Sequence, residues 1–188
     1  LSGITGTGNF RKYGDARMFV SGNSAGYSGT VDVDRGILHS LNSLSTAKPF
    51  GTGAITVNPG GALSLANPNN VNPGQLTLVS DQSGVANLGL AYVGALPSVT
   101  VTSTGPAKAV LGIDVPGYNL PINMSTLFGG GAFLGGVSAA GIYNASSLTA
   151  DGGVYRLGGI STLQINTPNV LTGAASVLVG QESNGDQA

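Results

Sequence analysis

The 188-residue chain contains no cysteine and no tryptophan, and it has one histidine. Without cysteine there is no disulfide framework and no thiol chemistry, a composition compatible with secretion. A catalytic zinc site would have to rest on the single histidine plus acids. Charge is scarce as well. Only 8% of residues are charged, against about 25% in an average domain, and the net charge is −1. No basic patch is large enough to hold a nucleic-acid backbone; the densest cluster, Arg11, Lys12 and Arg17, reads as a solvated strand edge. No run approaches eighteen apolar residues, so no transmembrane segment is expected. Nor does a basic stretch precede an apolar one, so a signal peptide, if there is one, lies outside this sequence.

What is present is glycine, at 32 residues, and a hydrophobic content of 41%. That hydrophobic content disfavours disorder, and the shortage of Glu, Lys and Arg disfavours a helical bundle. The dominant hydrophobic period is two. It appears at Thr30–Asp34, Ala54–Asn58, Ala62–Leu65, Gln75–Leu78, Ser98–Thr102, Thr162–Asn166 and Ser176–Val179. Turn signals separate these segments: Asn58-Pro59-Gly60-Gly61, Asn67-Pro68-Asn69-Asn70, Asn72-Pro73-Gly74 and Asp151-Gly152-Gly153. Short strands and turns at near-even spacing predict an all-β sandwich, barrel or solenoid. One helical turn is expected within Ile122–Leu127, capped by Asn123 or Ser125. Residues 114–131, with Pro116 and Pro121, read as a loop insertion that leaves the strand rhythm.

Two stretches carry a family resemblance. Phe19 to Leu38 supplies Ser21, Gly22, Asn23, Tyr27, Ser28, Gly29, Val31, Val33, Gly36 and Leu38. Gly51 to Leu65 supplies Gly51, Gly53, Ile55, Val57, Gly60, Gly61, Leu63 and Leu65. Together they resemble the autotransporter-associated β-strand repeat, most clearly over residues 1–66, with a longer gap between Asn23 and Tyr27 than is usual. The resemblance implies a right-handed parallel β-helix on a secreted or cell-surface bacterial passenger region; a β-sandwich is the alternative that patterning alone leaves open. It further implies that residues 1–188 form one solenoid unit of a larger repeat-containing protein. Val31, Val33, Ile55, Val57, Leu63 and Leu65 would then stack inward from coil to coil.

Candidate chemistry is sparse. Asp32 and Asp34, two apart in a strand, share a face. They are weak candidates for calcium or for an acid/base pair, set against a solvated strand face with Arg35 beside it. His39 alternates with Leu38, which places it on a surface. A His-Ser-Asp triad assembled from it has no specificity, and there is no G-x-S-x-G elbow. Tyr27, Tyr92, Tyr118, Tyr143 and Tyr155 read either as a carbohydrate surface or as corner packing. The expected function is structural rather than enzymatic, without a cofactor: a fibre, stalk or adhesin segment that associates with itself or with neighbouring repeats. The alternatives are a module for glycans or host surfaces and a polysaccharide-active β-helix enzyme.

Overall fold

The computed structural model describes residues 1–105 and 107–180. Short strands and tight turns wind into a right-handed parallel β-solenoid of about seven turns with almost no helix. The first sheet takes β1 (Phe10–Lys12), β3 (Val31–Val33), β5 (Ile55–Val57), β7 (Leu76–Ser80) and β9 (Val99–Ser103). The second takes one strand from each coil: β2 (Arg17–Val20), β4 (Gly36–Ser40), β6 (Gly61–Leu65), β8 (Asn87–Leu90), β10 (Val110–Ile113), β12 (Phe133–Gly135), β15 (Val154–Leu157) and β17 (Ser176–Val179). Two short pairs complete the later coils, β11 (Ile122–Asn123) with β14 (Leu148–Thr149), and β13 (Gly141–Tyr143) with β16 (Leu163–Ile165). All of these pairings are parallel, which sets the sandwich aside.

Period-two patterning becomes a core because identical faces stack in register. Val31, Ile55 and Leu76 form one row, and Val33, Val57 and Leu78 the next; each is at most 1% exposed. Leu63 and Leu65 close the coil from the opposite sheet and are fully buried. Asparagine and glutamine bond along the stack. Asn42 donates to Ser21 O, Asn67 to Ser43 O, Asn70 to Asn42 O and Gln75 to Gly51 O, each reaching the coil below. Such bonds satisfy corner carbonyls that no ladder reaches. Asn67 also caps a 3-10 turn at Pro68–Asn70.

The second sheet differs from the first in being buried on both faces from β6 to β12. Its outer face carries its own apolar cluster of Ala62, Val85, Ala107, Val110, Phe133 and Val137. This explains why β8, β10 and β12 show no alternation in sequence: both of their faces lie in protein.

Residues 114–131 keep to the coil path in part. Tyr118 bridges to Tyr143 in parallel, and β11 pairs with β14. The expected helical turn within Ile122–Leu127 is displaced. Asn123 instead accepts from the Ser125 backbone in a local turn, and the 3-10 turn falls at Leu127–Gly129. There Phe128 takes a left-handed conformation (φ 54), followed by three glycines at positive φ.

Candidate functional site

Asp32 and Asp34 do share the outer face of the first sheet, and partners from neighbouring coils engage both. Asn9 donates to Asp32 at 2.7 Å. Asp34 pairs with the Arg11 guanidinium one coil below and accepts from Asn58 one coil above at 2.8 Å. The Arg11 hydrogen bond holds the Asp34 carboxyl below the usual carboxylate range. The two carboxylates therefore serve coil-to-coil bonding. Among the described residues no group of three His, Cys, Asp or Glu side chains converges to hold a metal ion.

His39 is on the outer face, as alternation predicts, but it is not at the surface: only 9% of it is exposed. The reason is the cover over the second sheet. His39 lies in a row that runs Phe19, His39, Ser64, Gly89, Gly112, Gly135 across six strands. The three glycines form a trough. A Cβ at Gly89 would lie 2.1 Å from Asp114 Oδ2, and one at Gly112 would lie 2.4 Å from Val137 Cγ2. Residues 136–139 fold back along this trough as a strap.

Asp114 fastens the strap. Its Oδ1 accepts from the backbone N–H of Val137 (2.8 Å), Ser138 (3.0 Å) and, more weakly, Ala139 (3.4 Å). Its Oδ2 accepts from the Ser138 hydroxyl at 2.6 Å and the Ser64 hydroxyl at 3.2 Å. Consecutive N–H groups of this kind form a concave nest for a carboxylate. Arg17 donates to Ser138 O from β2, and its guanidinium also lies over the Phe19 ring.

The structure thus brings a histidine, a serine and an aspartate together at His39, Ser64 and Asp114. Their bonding order is not that of a triad. Ser64 bonds Asp114 and Ser138, whereas His39 Nδ1 has no hydrogen-bond partner among the described residues. Ser64 and Ser138 are at most 1% exposed, so no substrate carbonyl can reach either hydroxyl. A nucleophile needs its base within hydrogen-bond reach and access to the substrate, and this cluster has neither. Its chemistry is that of a latch.

The tyrosines are corner posts. Tyr27, Tyr118, Tyr143 and Tyr155 are buried, and each hydroxyl donates to a backbone carbonyl: Thr30 at 2.8 Å, Gly94 at 3.1 Å, Ser147 at 2.6 Å and Thr172 at 3.1 Å. Tyr92, half-buried, does the same with Ala95 at 3.0 Å. Burial pushes the Tyr27, Tyr92, Tyr118 and Tyr143 hydroxyls above their ordinary value. With rings inward and hydroxyls engaged, these five do not present a carbohydrate-stacking surface.

Exposed apolar side chains are found at both ends, at the loop after β4 (Leu41, Leu44) and at one interruption. At the C-terminal end a cavity of about 380 Å³ is walled by Leu134, Leu157, Leu163, Ile165 and Val179. Val177, Leu178 and Val179 of β17 are 50%, 38% and 77% exposed. At the other end Leu1 and Phe19 are 47% and 42% exposed. The interruption follows β9. No helix among the described residues is long and apolar enough to cross a membrane.

Scanned against protein-family models, the chain matches none, and neither the curated proteins nor the solved structures yield a match.

Proposed function

We propose that the chain is a structural segment of a secreted or cell-surface bacterial protein. In this reading it is a stiff solenoid element of a fibre, stalk or adhesin, with its end faces covered by neighbouring coils. The observation that carries the reading is the in-register stacking of coils, in which Val31, Ile55 and Leu76, and Val33, Val57 and Leu78, are buried only by the coils above and below. Among the described residues, the last coil has an apolar cavity and an exposed edge strand, β17. In a solenoid each coil buries its apolar face only against the next, and soluble arrays end in polar caps. The repeat resemblance at Phe19–Leu38 and Gly51–Leu65 supports the surface location. The engagement of Asp32 and Asp34 by Arg11, Asn58 and Asn9 counts against the polysaccharide-active alternative. A glycosidase needs two carboxyls facing a shaped cleft.

Sedimentation velocity and negative-stain microscopy over a concentration series test this. Wild-type chain should form end-to-end rods that lengthen with concentration and survive calcium chelation. Adding Val177→Lys and Val179→Lys at the edge strand should shorten them to single particles. Monodisperse wild-type particles at every concentration would sink self-assembly, leaving covalent neighbours as the only cover. Rods lost on chelation would return Asp32 and Asp34 as a cation site.

A further inference from the structure

The first sheet stops in the middle of the solenoid. β9 pairs with β7 on one side, and among the described residues no strand pairs with its other side. Every earlier strand of this sheet is covered on that side by the next. The inward row Val31, Ile55, Leu76 continues to Val99, and the row Val33, Val57, Leu78 continues to Val101. The earlier members of both rows are buried, whereas Val99 and Val101 are partly exposed. The 3-10 turn Leu127–Gly129 packs beside this edge. It leaves a groove of about 340 Å³ lined by Leu96, Pro97, Val99, Val101, Thr126 and Phe128. The groove adjoins two others, of about 360 and 330 Å³, through the shared residue Leu96. No Asp, Glu, Lys, Arg or His lines any of the three. Phe128, held left-handed at the groove, packs against both large core clusters.

We propose that this break is a docking site for an extended, uncharged peptide segment of a partner protein, which adds to β9 as a parallel strand. The ladder it continues specifies the occupant. Val31 N donates to Ala54 O at 2.9 Å and Ile55 N to Gln75 O at 2.8 Å, so these rungs direct their backbone groups toward the following coil. Register carries the corresponding groups of Val99 and Val101 onto the open side. An open edge of this kind takes a strand through main-chain bonds, and pockets for alternate side chains select its sequence. Here the selected residues are apolar over Val99 and Val101 and small and neutral beside Thr100. The uncharged lining rejects an acidic or basic occupant, because a charge buried there would have no counter-charge. This inference stands on the sheet break and not on the function proposed above.

The probe is a capped synthetic peptide with the sequence of residues 75–80, Gln-Leu-Thr-Leu-Val-Ser, which lies against the other side of β9. At saturating peptide, amide hydrogen exchange across Val99–Ser103 should slow by about tenfold or more. A control peptide with both leucines replaced by glutamate should give no protection. Val101→Lys should weaken binding by about tenfold or more with an unchanged circular-dichroism spectrum. If that variant does not fold, Leu96→Asp places the charge on an exposed groove residue outside any strand and should act in the same way. Unchanged exchange at millimolar peptide would overturn the proposal. So would equal protection of the β17 edge, which would mean indiscriminate strand addition. Concentration-dependent protection of β9 without peptide would make the occupant a second copy and overturn it too.

Discussion

Among the described residues, His39 is buried with its Nδ1 lacking a hydrogen-bond partner, and a pH dependence follows from its position. Burial, with the Arg17 guanidinium as a second cause, draws the imidazole below its ordinary value of 6.5, while Asp114 pulls the other way. The groups identified as facing it are Arg17 and Phe19 on β2, Ser64 on β6 and Asp114 after β10. Phe19 meets it edge-on with ring centroids 5.3 Å apart. The folded chain favours neutral His39, so its contribution to stability is complete above 6.5. It declines once the pH falls below 6.5, where the unfolded chain takes up a proton first, and it is gone below the lowered folded value. Urea-unfolding free energies between pH 7.5 and 5 should fall for the wild type, and His39→Gln should flatten that part of the curve. An equal fall in both proteins would assign the effect to other groups. Sequence alone placed His39 on the outer face but not in a buried position, because Asp114 and the Ser138 carbonyl that holds Arg17 come from far along the chain. The Asp32–Asp34 pair was legible as an outer-face feature; its partners Arg11 and Asn58 come from neighbouring coils and depend on a register that pattern does not supply.

Four of the five strands of the first sheet, all but β1, were readable because one of their faces meets water. Thr30–Asp34, Ala54–Asn58, Gln75–Leu78 and Ser98–Thr102 each contain the strand that forms there or overlap it. Strands β8, β10 and β12 escaped that test, since burial on both faces erases alternation. They carry a different signal. Leu88-Gly89, Leu111-Gly112, Leu134-Gly135 and Leu157-Gly158 recur at equal sequence spacing, and their leucines stand in one register row. The leucine fills the coil interior, and at Gly89 and Gly112 the glycine leaves room for Asp114 and the strap. Gly112→Ala tests this at the element scale. The new methyl would meet Val137 Cγ2 at 2.4 Å and the Val137 backbone N at 2.9 Å, so the strap must lift. Overpacking of this sort costs about 1–3 kcal/mol. Urea denaturation should show a loss in that range, and faster amide exchange at Val137–Ala139 should accompany it. A neutral outcome would mean that the strap is loosely seated and that Asp114 does little to fasten it.

Along the whole molecule, stability should be graded rather than uniform. The interior divides into two large clusters, one built mainly from the earlier coils and one from the later, and Tyr92 and Phe128 pack against both. Ion pairs do not unify it: the three among the described residues each join neighbouring segments, and two are largely exposed on at least one side. Cohesion therefore depends on nearest-neighbour stacking, for which stability is approximately a sum of coil and interface terms. A central coil has two neighbours and a terminal coil has one. Leu63, Leu88 and Leu111 in β6, β8 and β10 are 0% exposed, while all four residues of β17 are exposed. Native-state hydrogen exchange at low protein concentration should find β6, β8 and β10 the most protected. The amides of β16 and β17 should exchange at least about a hundredfold faster, a difference of roughly 2.7 kcal/mol in opening free energy. Raising the concentration should protect β17 selectively if end faces meet in solution, because the added neighbour supplies the missing interface term. Equal protection from β2 to β17 would mean that the solenoid opens as one unit and that nearest-neighbour stacking does not grade its stability.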